Sequence, residues 1–215
     1  MISDLLGPLL VLTDRTQCAR PLPDVVRAAV DGGARTVVLR EKDLPGDDRR
    51  RLADALRPLL PADGVLVLAG PPPAADAVHP GVADAVHPGV ADAVHLGVAD
   101  AVPDPRPPLL GRSCHTPAEV AAAHGCDWVT ASPVRLTASK PGYGPALGVD
   151  GLAACVLAPG APPVYALGGL GRTDAAACLR AGAVGLAVMG GVMRAARPDV
   201  VVAELLTALA PGGTA

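Results

Sequence analysis

The sequence predicts an α/β protein with the (β/α)8 TIM-barrel fold, and two observations support this prediction. Eight short runs of β-branched residues and leucine alternate with segments whose apolar residues recur at helical spacing. Strand followed by helix, repeated along the chain, is typical of such a barrel, although a doubly wound open sheet is the structural alternative. No linker interrupts the 215 residues, so we expect one barrel domain over residues 1–215.

The predicted strands are short and apolar. They cover residues 9–14, 36–42, 64–70, 92–97, 109–115, 128–134, 163–169 and 185–190. Segments with helical spacing lie at 21–34, 46–60, 116–125, 148–158 and 173–183, and several begin or end with a cap-like Asp, Thr or Gly. The proline-rich segment 103–108 cannot form a helix interior, so the connection after the fourth strand is expected to be a loop.

An eight-residue phrase, ADAVHPGV, occurs three times between residues 75 and 98, the third copy reading ADAVHLGV. The period is too short for most solenoids, and Asp-x-x-His without supporting residues is a weak metal chelator. The third copy, which contains His95, fits the fourth strand. We therefore expect residues 71–90 to be a proline-rich, repeat-containing loop insertion that replaces the third helix of the barrel, with the earlier copies as competitors for the strand position.

The composition argues against two classes of partner. With a net charge of -3, the chain lacks the excess of positive charge that attracts nucleic acid or an anionic membrane. With no Phe, one Trp and two Tyr, it also lacks the aromatic side chains on which nucleic-acid bases stack. No apolar run reaches the roughly 18 residues that span a bilayer, and no signal peptide is evident at the start, so a cytoplasmic location is expected. The five cysteines show neither zinc-site nor disulfide spacing. The sequence leaves open whether the protein forms a homo-oligomer.

Two glycine pairs end the last two predicted strands. Gly168 and Gly169 follow the seventh strand, and Gly190 and Gly191 follow the eighth. In a barrel, backbone N–H groups at these ends can approach a phosphate closely, and we predict a phosphate site there. The alternative interpretation is that the pairs only make tight turns.

Cations form a second group at the predicted strand ends. Arg40 and Lys42 flank Glu41 at the end of the second strand, and Lys140 follows the sixth. Together they are suited to neutralising a polyanion such as pyrophosphate, whereas the alternative is a solvated rim.

Several motifs carry a resemblance to a known family. The segments LTDR, LREKD, DAVHLG, GRSCHT, SPV, ALGGL and AGAVGLAVMGG occur in the order, and mostly at the spacing, found in the thiamine phosphate synthase and TenI superfamily. The chain resembles this superfamily over nearly its whole length.

The resemblance implies a (β/α)8 barrel, with phosphorylated small molecules as partners. Synthase members couple hydroxymethylpyrimidine pyrophosphate to a thiazole phosphate and release pyrophosphate, with Mg²⁺ on the pyrophosphate. Its TenI branch contains thiazole tautomerases.

The resemblance also implies residue roles. The residues that would hold the pyrophosphate are Arg40, Lys42, Ser113 and Lys140. Those that would hold the thiazole phosphate are Thr137, Ser139, Gly169 and the MGG turn at 189–191. Asp100 would bind the metal. Of these residues, Arg40 and Lys140 would act in catalysis because clustered cations stabilise the charge that grows on the departing pyrophosphate.

Five residues, in three segments, depart from the synthase pattern. Val38 replaces a Gln, Ala69 and Gly70 replace an Asn-Asp pair, and Val98 and Ala99 replace a Gln-Glu pair. Because Mg²⁺ is usually held by one or two carboxylates together with substrate phosphates, the loss at Gly70 weakens the expected Mg²⁺ site.

Three functions therefore stay open at this point. The lysines and Asp100 favour a synthase. The missing Asn-Asp pair favours a TenI-like tautomerase, in which His115 would be the general acid and base without a metal. The third is a non-catalytic protein that binds thiazole phosphate or thiamine phosphate on the same barrel.

Overall fold

The computed structural model describes residues 2–70, 91–137 and 145–212, and they form a closed barrel of eight parallel strands in sequential order. The strands are β1 (Leu9–Leu12), β2 (Thr36–Leu39), β3 (Val65–Ala69), β4 (Ala93–Leu96), β5 (Leu110–Cys114), β6 (Trp128–Ala131), β7 (Val164–Leu167) and β8 (Gly185–Val188). The predicted fold class and all eight predicted strands are confirmed. Each strand is shorter than predicted at one or both ends, and the polar residues that end the first, second, fifth and sixth predicted strands belong to the loops that follow.

The helices lie outside the barrel or close its ends. They are α1 (Ile2–Leu6), α2 (Leu22–Asp31), α3 (Gly46–Leu56), α4 (Pro117–Ala122), α5 (Gly148–Val156), α6 (Ala175–Arg180), α7 (Gly190–Met193) and α8 (Pro198–Leu209). Sequence reasoning missed α1 and α8. A signal for α8 was present, since Pro198 stands at its first turn and Val202, Leu205 and Leu209 are buried at helical spacing. None of the described helices is long and apolar enough to cross a membrane.

The third copy of the repeat forms β4, as the sequence predicts. Its Asp92 fixes the strand against β3, because Asp92 N donates to Leu66 O (2.9 Å) and Asp92 Oδ2 accepts from Leu66 N (2.9 Å). After β4, the chain runs to β5 without a helix, which confirms the expected loop. The predicted loop insertion at 71–90 lies outside the described residues.

Side chains alternate between two apolar layers. Residues facing outward from the strands pack against the helices, and they include Val11, Val37, Leu66, Val129 and Leu186. Residues facing inward fill the barrel, and they include Leu10, Val38, Val67, Trp128 and Tyr165. The filled interior makes the barrel a packed core rather than a channel.

Helix α1 closes the amino-terminal end of the barrel. Thr36 Oγ1 donates to Leu6 O (2.6 Å), and Tyr165 Oη donates to Gly7 O (2.8 Å). Leu6 is fully buried against the interior side chains. Since this end is plugged, the opposite end, where the strands finish, is the open face of the barrel.

Candidate active site at the carboxyl ends of the strands

Arg40 extends across the barrel mouth from the end of β2. Its backbone N–H donates to Thr13 Oγ1 (3.0 Å), which fixes the residue against the end of β1. Its Nη1 lies 3.7 Å from Met189 Sδ at the end of β8. The guanidinium is thus directed toward Met189, the residue before Gly190, and its predicted contact with pyrophosphate stays a prediction.

Glu41 has a structural role at the same strand end. It is 2 % exposed and accepts hydrogen bonds from Arg15 N (3.0 Å) and Arg15 Nη1 (3.0 Å). Arg15 also donates to both carboxylate oxygens of Asp43 (2.8 and 2.6 Å), and this contact lowers the pKa of Asp43. The network ties the loops after β1 and β2 together, so that the turn carrying Arg40 and Lys42 is held in place.

Lys42 lies beside Gly70 at the end of β3. A Cβ atom built on Gly70 would lie 3.5 Å from Lys42 Cε, 3.8 Å from Lys42 Nζ and 3.9 Å from Arg49 Nη1. Arg49 comes from α3, is buried, and donates from Nη1 to Ala69 O (3.3 Å). Burial lowers the pKa of Arg49. Sequence reasoning did not single out Arg49, because nothing in the sequence distinguishes it from the neighbouring arginines of α3.

His95 points into the barrel below the mouth. Its Nε2 lies 3.2 Å from Ser113 Oγ and 3.2 Å from Thr130 Oγ1, and its ring stacks on Trp128 with centroids 5.9 Å apart. Burial, with smaller contributions from the charges of Lys42 and Arg112, lowers the pKa of His95 to about 3. A neutral His95 therefore supports Ser113, the residue predicted to contact pyrophosphate.

His115 is oriented by the end of β6. Its Nδ1 lies 2.7 Å from Ser132 O, and because a carbonyl only accepts, Nδ1 carries the proton in this contact. Its backbone N–H donates to Glu119 Oε2 (2.6 Å) in the first turn of α4. The protonated Nδ1 makes Nε2 the basic nitrogen of the ring, which is the state that a general base requires.

Asp100 closes the turn after β4. Its Oδ2 accepts a hydrogen bond from Gly97 N (2.6 Å). Arg112 Nη1 donates to the backbone oxygens of Gly97 (3.0 Å), Val98 (3.0 Å) and Asp100 (2.9 Å), which pins the loop. Within residues 2–70, 91–137 and 145–212, no three His, Cys, Asp or Glu side chains are grouped so that they could hold a metal ion.

At the first glycine pair, the backbone conformation itself requires glycine. Gly168 and Gly169 have φ of 105° and 65°, which side chains rarely adopt. A Cβ on Gly168 would lie 2.8 Å from Pro133 Cα, and one on Gly169 would lie 2.5 Å from Leu136 O. Tight turning and close approach of the β6 loop thus account for this pair, and its predicted phosphate contact stays a prediction.

The second glycine pair opens α7. Gly190 and Gly191 are its first two residues, and a side chain on Gly190 would collide with the guanidinium of Arg194. Arg194 also donates to Gln17 Oε1. Sequence reasoning did not single out Arg194, because its position over Gly190 depends on the turn of α7.

The sixth-strand loop is described only in part. Thr137 is described and half-buried. Ser139 and Lys140 lie outside the described residues, so their predicted roles stay predictions.

The described cations and polar groups meet at one end of the barrel. Arg40 and Lys42 follow β2, and Ser113 and His115 lie at the end of β5, so all four are at the open face, which is where enzymes of this fold carry their active sites. The fold and the site together define the class of protein: a (β/α)8-barrel enzyme with a cationic mouth.

Comparisons with known proteins specify the family. The family model described as thiamine monophosphate synthase matches residues 9–192. A putative thiamine-phosphate synthase of Geobacter sulfurreducens is 36% identical over 212 residues, covering 94% of each chain. The thiamine-phosphate synthase of Roseiflexus sp. is 35% identical, covering 95% of this chain and 86% of its own. The solved thiamine phosphate pyrophosphorylase of Pyrococcus furiosus superposes with a TM-score of 0.78 at 27% identity, covering 97% of this chain and 98% of its own.

The chain therefore belongs to the thiamine monophosphate synthase family. Membership confirms the resemblance that the sequence motifs carry.

Proposed function

We propose that this protein is a thiamine phosphate synthase, which couples hydroxymethylpyrimidine pyrophosphate to a thiazole phosphate and releases pyrophosphate. The observation that supports the proposal best is the presence of both Arg40 and Lys42 at the open end of a barrel of this family. Two cations at one strand end suit a reaction that leaves negative charge on a departing pyrophosphate.

The reaction breaks one bond and forms another. The C–O bond between the pyrimidine methylene and pyrophosphate breaks, and its electron pair leaves with the pyrophosphate. The lone pair of the thiazole nitrogen then forms the new C–N bond to the methylene. Arg40 and Lys42 stabilise the leaving charge, Ser113 donates a hydrogen bond to it, and Lys140 adds a third cation.

The thiazole phosphate is placed on the other side of the mouth. In this proposal it is held by the hydroxyls of Thr137 and Ser139 and by the backbone N–H groups of the two glycine turns, Gly168–Gly169 and Gly190–Gly191. Met189 lies between the second turn and Arg40, which brings the two half-sites within reach of each other. Holding both substrates in contact lowers the entropic cost of their reaction.

The magnesium that the family resemblance implies fits this site poorly. Asp100 offers one carboxylate, and its Oδ2 already accepts from Gly97 N. Gly70 has no side chain to offer, and the space beside it faces Lys42 and Arg49. The described residues therefore do not form a two-carboxylate site, and we assign no step to a metal.

We also propose a cytoplasmic location and a partner set restricted to small-molecule phosphates. The charge of -3 and the scarcity of aromatic residues argue against a nucleic-acid or membrane partner.

The experiment is a direct assay of thiamine phosphate formation from the two purified substrates. Wild-type protein should form product, and Lys42→Ala should lower kcat/KM about a hundredfold, because one of the cations that stabilise the leaving group is lost. Arg50→Ala is the matched control, since Arg50 is an exposed arginine of α3 paired with Asp47 (3.6 Å), and its activity should equal wild type. Absence of thiamine phosphate from the wild-type reaction would refute the proposal.

A second candidate function is supported by the orientation of His115. Its protonated Nδ1 and basic Nε2 would serve a thiazole tautomerase, which removes one proton and delivers another. Incubation with the thiazole carboxylate tautomer should then show conversion that His115→Ala abolishes, and equal rates in the two proteins would exclude this function. Binding of the phosphates without either turnover would indicate a non-catalytic binding protein.

A further inference from the structure

We propose that Lys42 and Arg49 hold pyrophosphate directly at the end of β3, so that this chain binds it without a divalent metal. The inference rests on the proposed function, because it specifies how the same site recognises its pyrophosphate group. It follows from the two cations beside Gly70 and from the finding that no three His, Cys, Asp or Glu side chains of the described residues could hold a metal ion together.

The two cations reach the end of β3 from different elements. Lys42 follows β2, is exposed, and places Nζ 3.8 Å from the position of a Cβ on Gly70. Arg49 belongs to α3, is only 8 % exposed, and is held by its hydrogen bond to Ala69 O. One cation is thus fixed by the packed structure and the other can adjust to a bound anion. This combination suits a polyanion with oxygens in several directions.

A divalent cation would meet like charges at this position. A metal beside Gly70 would lie within a few ångströms of both Lys42 Nζ and Arg49 Nη1, and no carboxylate is supplied by residue 70 to offset the repulsion. Of the positions at which the family resemblance implies a metal ligand, the described residues offer Asp100, and one of its oxygens is engaged by Gly97 N. The arrangement favours an anion over a metal, and the cations then do the neutralisation that a metal would otherwise supply.

The geometry also suggests a substitution that reverses the preference. An Asp at position 70 would place a carboxylate against Lys42 and Arg49, cancel part of their charge, and restore a second possible metal ligand. Gly70 has a φ of 87°, a conformation that Asn and Asp adopt more readily than other side chains. Gly70→Asn has nearly the same shape and backbone strain as Gly70→Asp but no charge, so the pair separates electrostatics from folding.

The test is calorimetric titration of the purified protein with inorganic pyrophosphate, in EDTA and in Mg²⁺, with a protein-free blank for the binding of Mg²⁺ to pyrophosphate. Wild type should bind in EDTA, with a Kd that Mg²⁺ changes by less than about threefold. Lys42→Ala should weaken binding in EDTA by about tenfold or more. Gly70→Asp should also weaken it in EDTA and recover on adding Mg²⁺, whereas Gly70→Asn should bind in EDTA more tightly than Gly70→Asp. Circular dichroism and thermal melts confirm that each variant is folded.

Two results would overturn the inference: wild-type affinity that rises about tenfold or more with Mg²⁺, or Lys42→Ala binding in EDTA as tightly as wild type. The synthase assay run in EDTA separates this inference from the proposed function. Thiamine phosphate formed only with Mg²⁺ would refute metal-free recognition and leave the synthase in place. Pyrophosphate binding in EDTA, with no thiamine phosphate formed either in EDTA or in Mg²⁺, would support the inference and refute the synthase.

Discussion

The imidazole of His95 occupies a position between the barrel core and its mouth. It stacks on Trp128 and lies against the hydroxyls of Ser113 and Thr130, where a charged ring would lose most of its hydration. This cost explains why burial is the main cause of its lowered pKa, ahead of the charges of Lys42 and Arg112. A histidine that stays neutral in the native state couples folding to pH.

The expected consequence is a loss of stability in acid. Between the unfolded-state pKa of about 6.5 and the native value of about 3, the unfolded chain binds a proton at His95 that the native protein does not. The free energy of unfolding should therefore fall as pH falls through this window, by up to about 1.4 kcal/mol per pH unit from this group. Urea unfolding at pH 7, 6, 5 and 4 measures the slope.

Substitution of single histidines shows whether His95 causes this dependence of the free energy of unfolding on pH. His95→Gln should be less stable than wild type at pH 7 and should show a shallower slope between pH 6 and 4. His124, an exposed histidine after α4, is the matched control, and His124→Gln should reproduce the wild-type slope. A wild-type slope in the His95 variant would mean that other groups cause the acid sensitivity.

At the scale of single elements, the sequence differences among the three copies of the repeat explain why the third copy forms β4. The first two copies of the repeat carry Pro80 and Pro88 where the third carries Leu96. Val94 N donates to Leu109 O, and because successive N–H groups alternate in direction, Leu96 N also faces β5. A proline at that position would remove a ladder donor, and the fully buried Leu96 side chain would be lost as well. The third copy is therefore the best strand of the three.

Leu96→Pro tests this explanation. It makes the third copy the same as the others at the residue that distinguishes them. We expect a loss of about 2–5 kcal/mol in the free energy of unfolding, from the buried leucine and the missing hydrogen bond. Leu96→Ile keeps the donor and the volume and should cost less than about 1.5 kcal/mol. Chemical denaturation measures both, and equal costs for the two variants would contradict the role of the backbone donor.

At the scale of the whole molecule, closure of the barrel decides where the site can be. Strands β1 and β8 pair in register from Leu9 with Leu186 onward, so the sheet has no free edge. Helix α1 and the loop after it seal one end through Thr36 and Tyr165, which leaves the other end as the face open to substrates. Stability and activity are thus located at opposite ends of the same strands.

This separation predicts a variant that affects stability alone. Tyr165→Phe removes the hydrogen bond to Gly7 O at the sealed end and should cost about 1 kcal/mol, which corresponds to a fall in Tm of about 2–4 °C for a chain of this size. Steady-state kinetics of thiamine phosphate formation should be unchanged. Thr207→Val is the matched control, because it removes an exposed hydroxyl bond to Ala203 O (2.8 Å) on α8 and should shift Tm by less. A fall in activity that matches the fall in Tm would argue against the separation.

The sequence by itself predicted eight strands in alternation with helices and the polar residues that follow them, and the family resemblance of its motifs favoured the barrel over an open sheet. It could do so because apolar periodicity and strand-ending polar residues are local patterns, and the motifs are read in chain order. It also identified the missing carboxylate at Gly70 and the third copy of the repeat as β4.

Only the tertiary structure decided what those residues face. Glu41 stands between two predicted site cations in the sequence but is buried against Arg15, and Arg49 is one of several arginines of α3 but lies beside Gly70 with Lys42. These contacts join residues that are distant in sequence and adjacent only after the parallel strands close. Barrel closure, which sets strand register and brings loop ends together, is the physical reason that they could not be deduced from the order of residues alone.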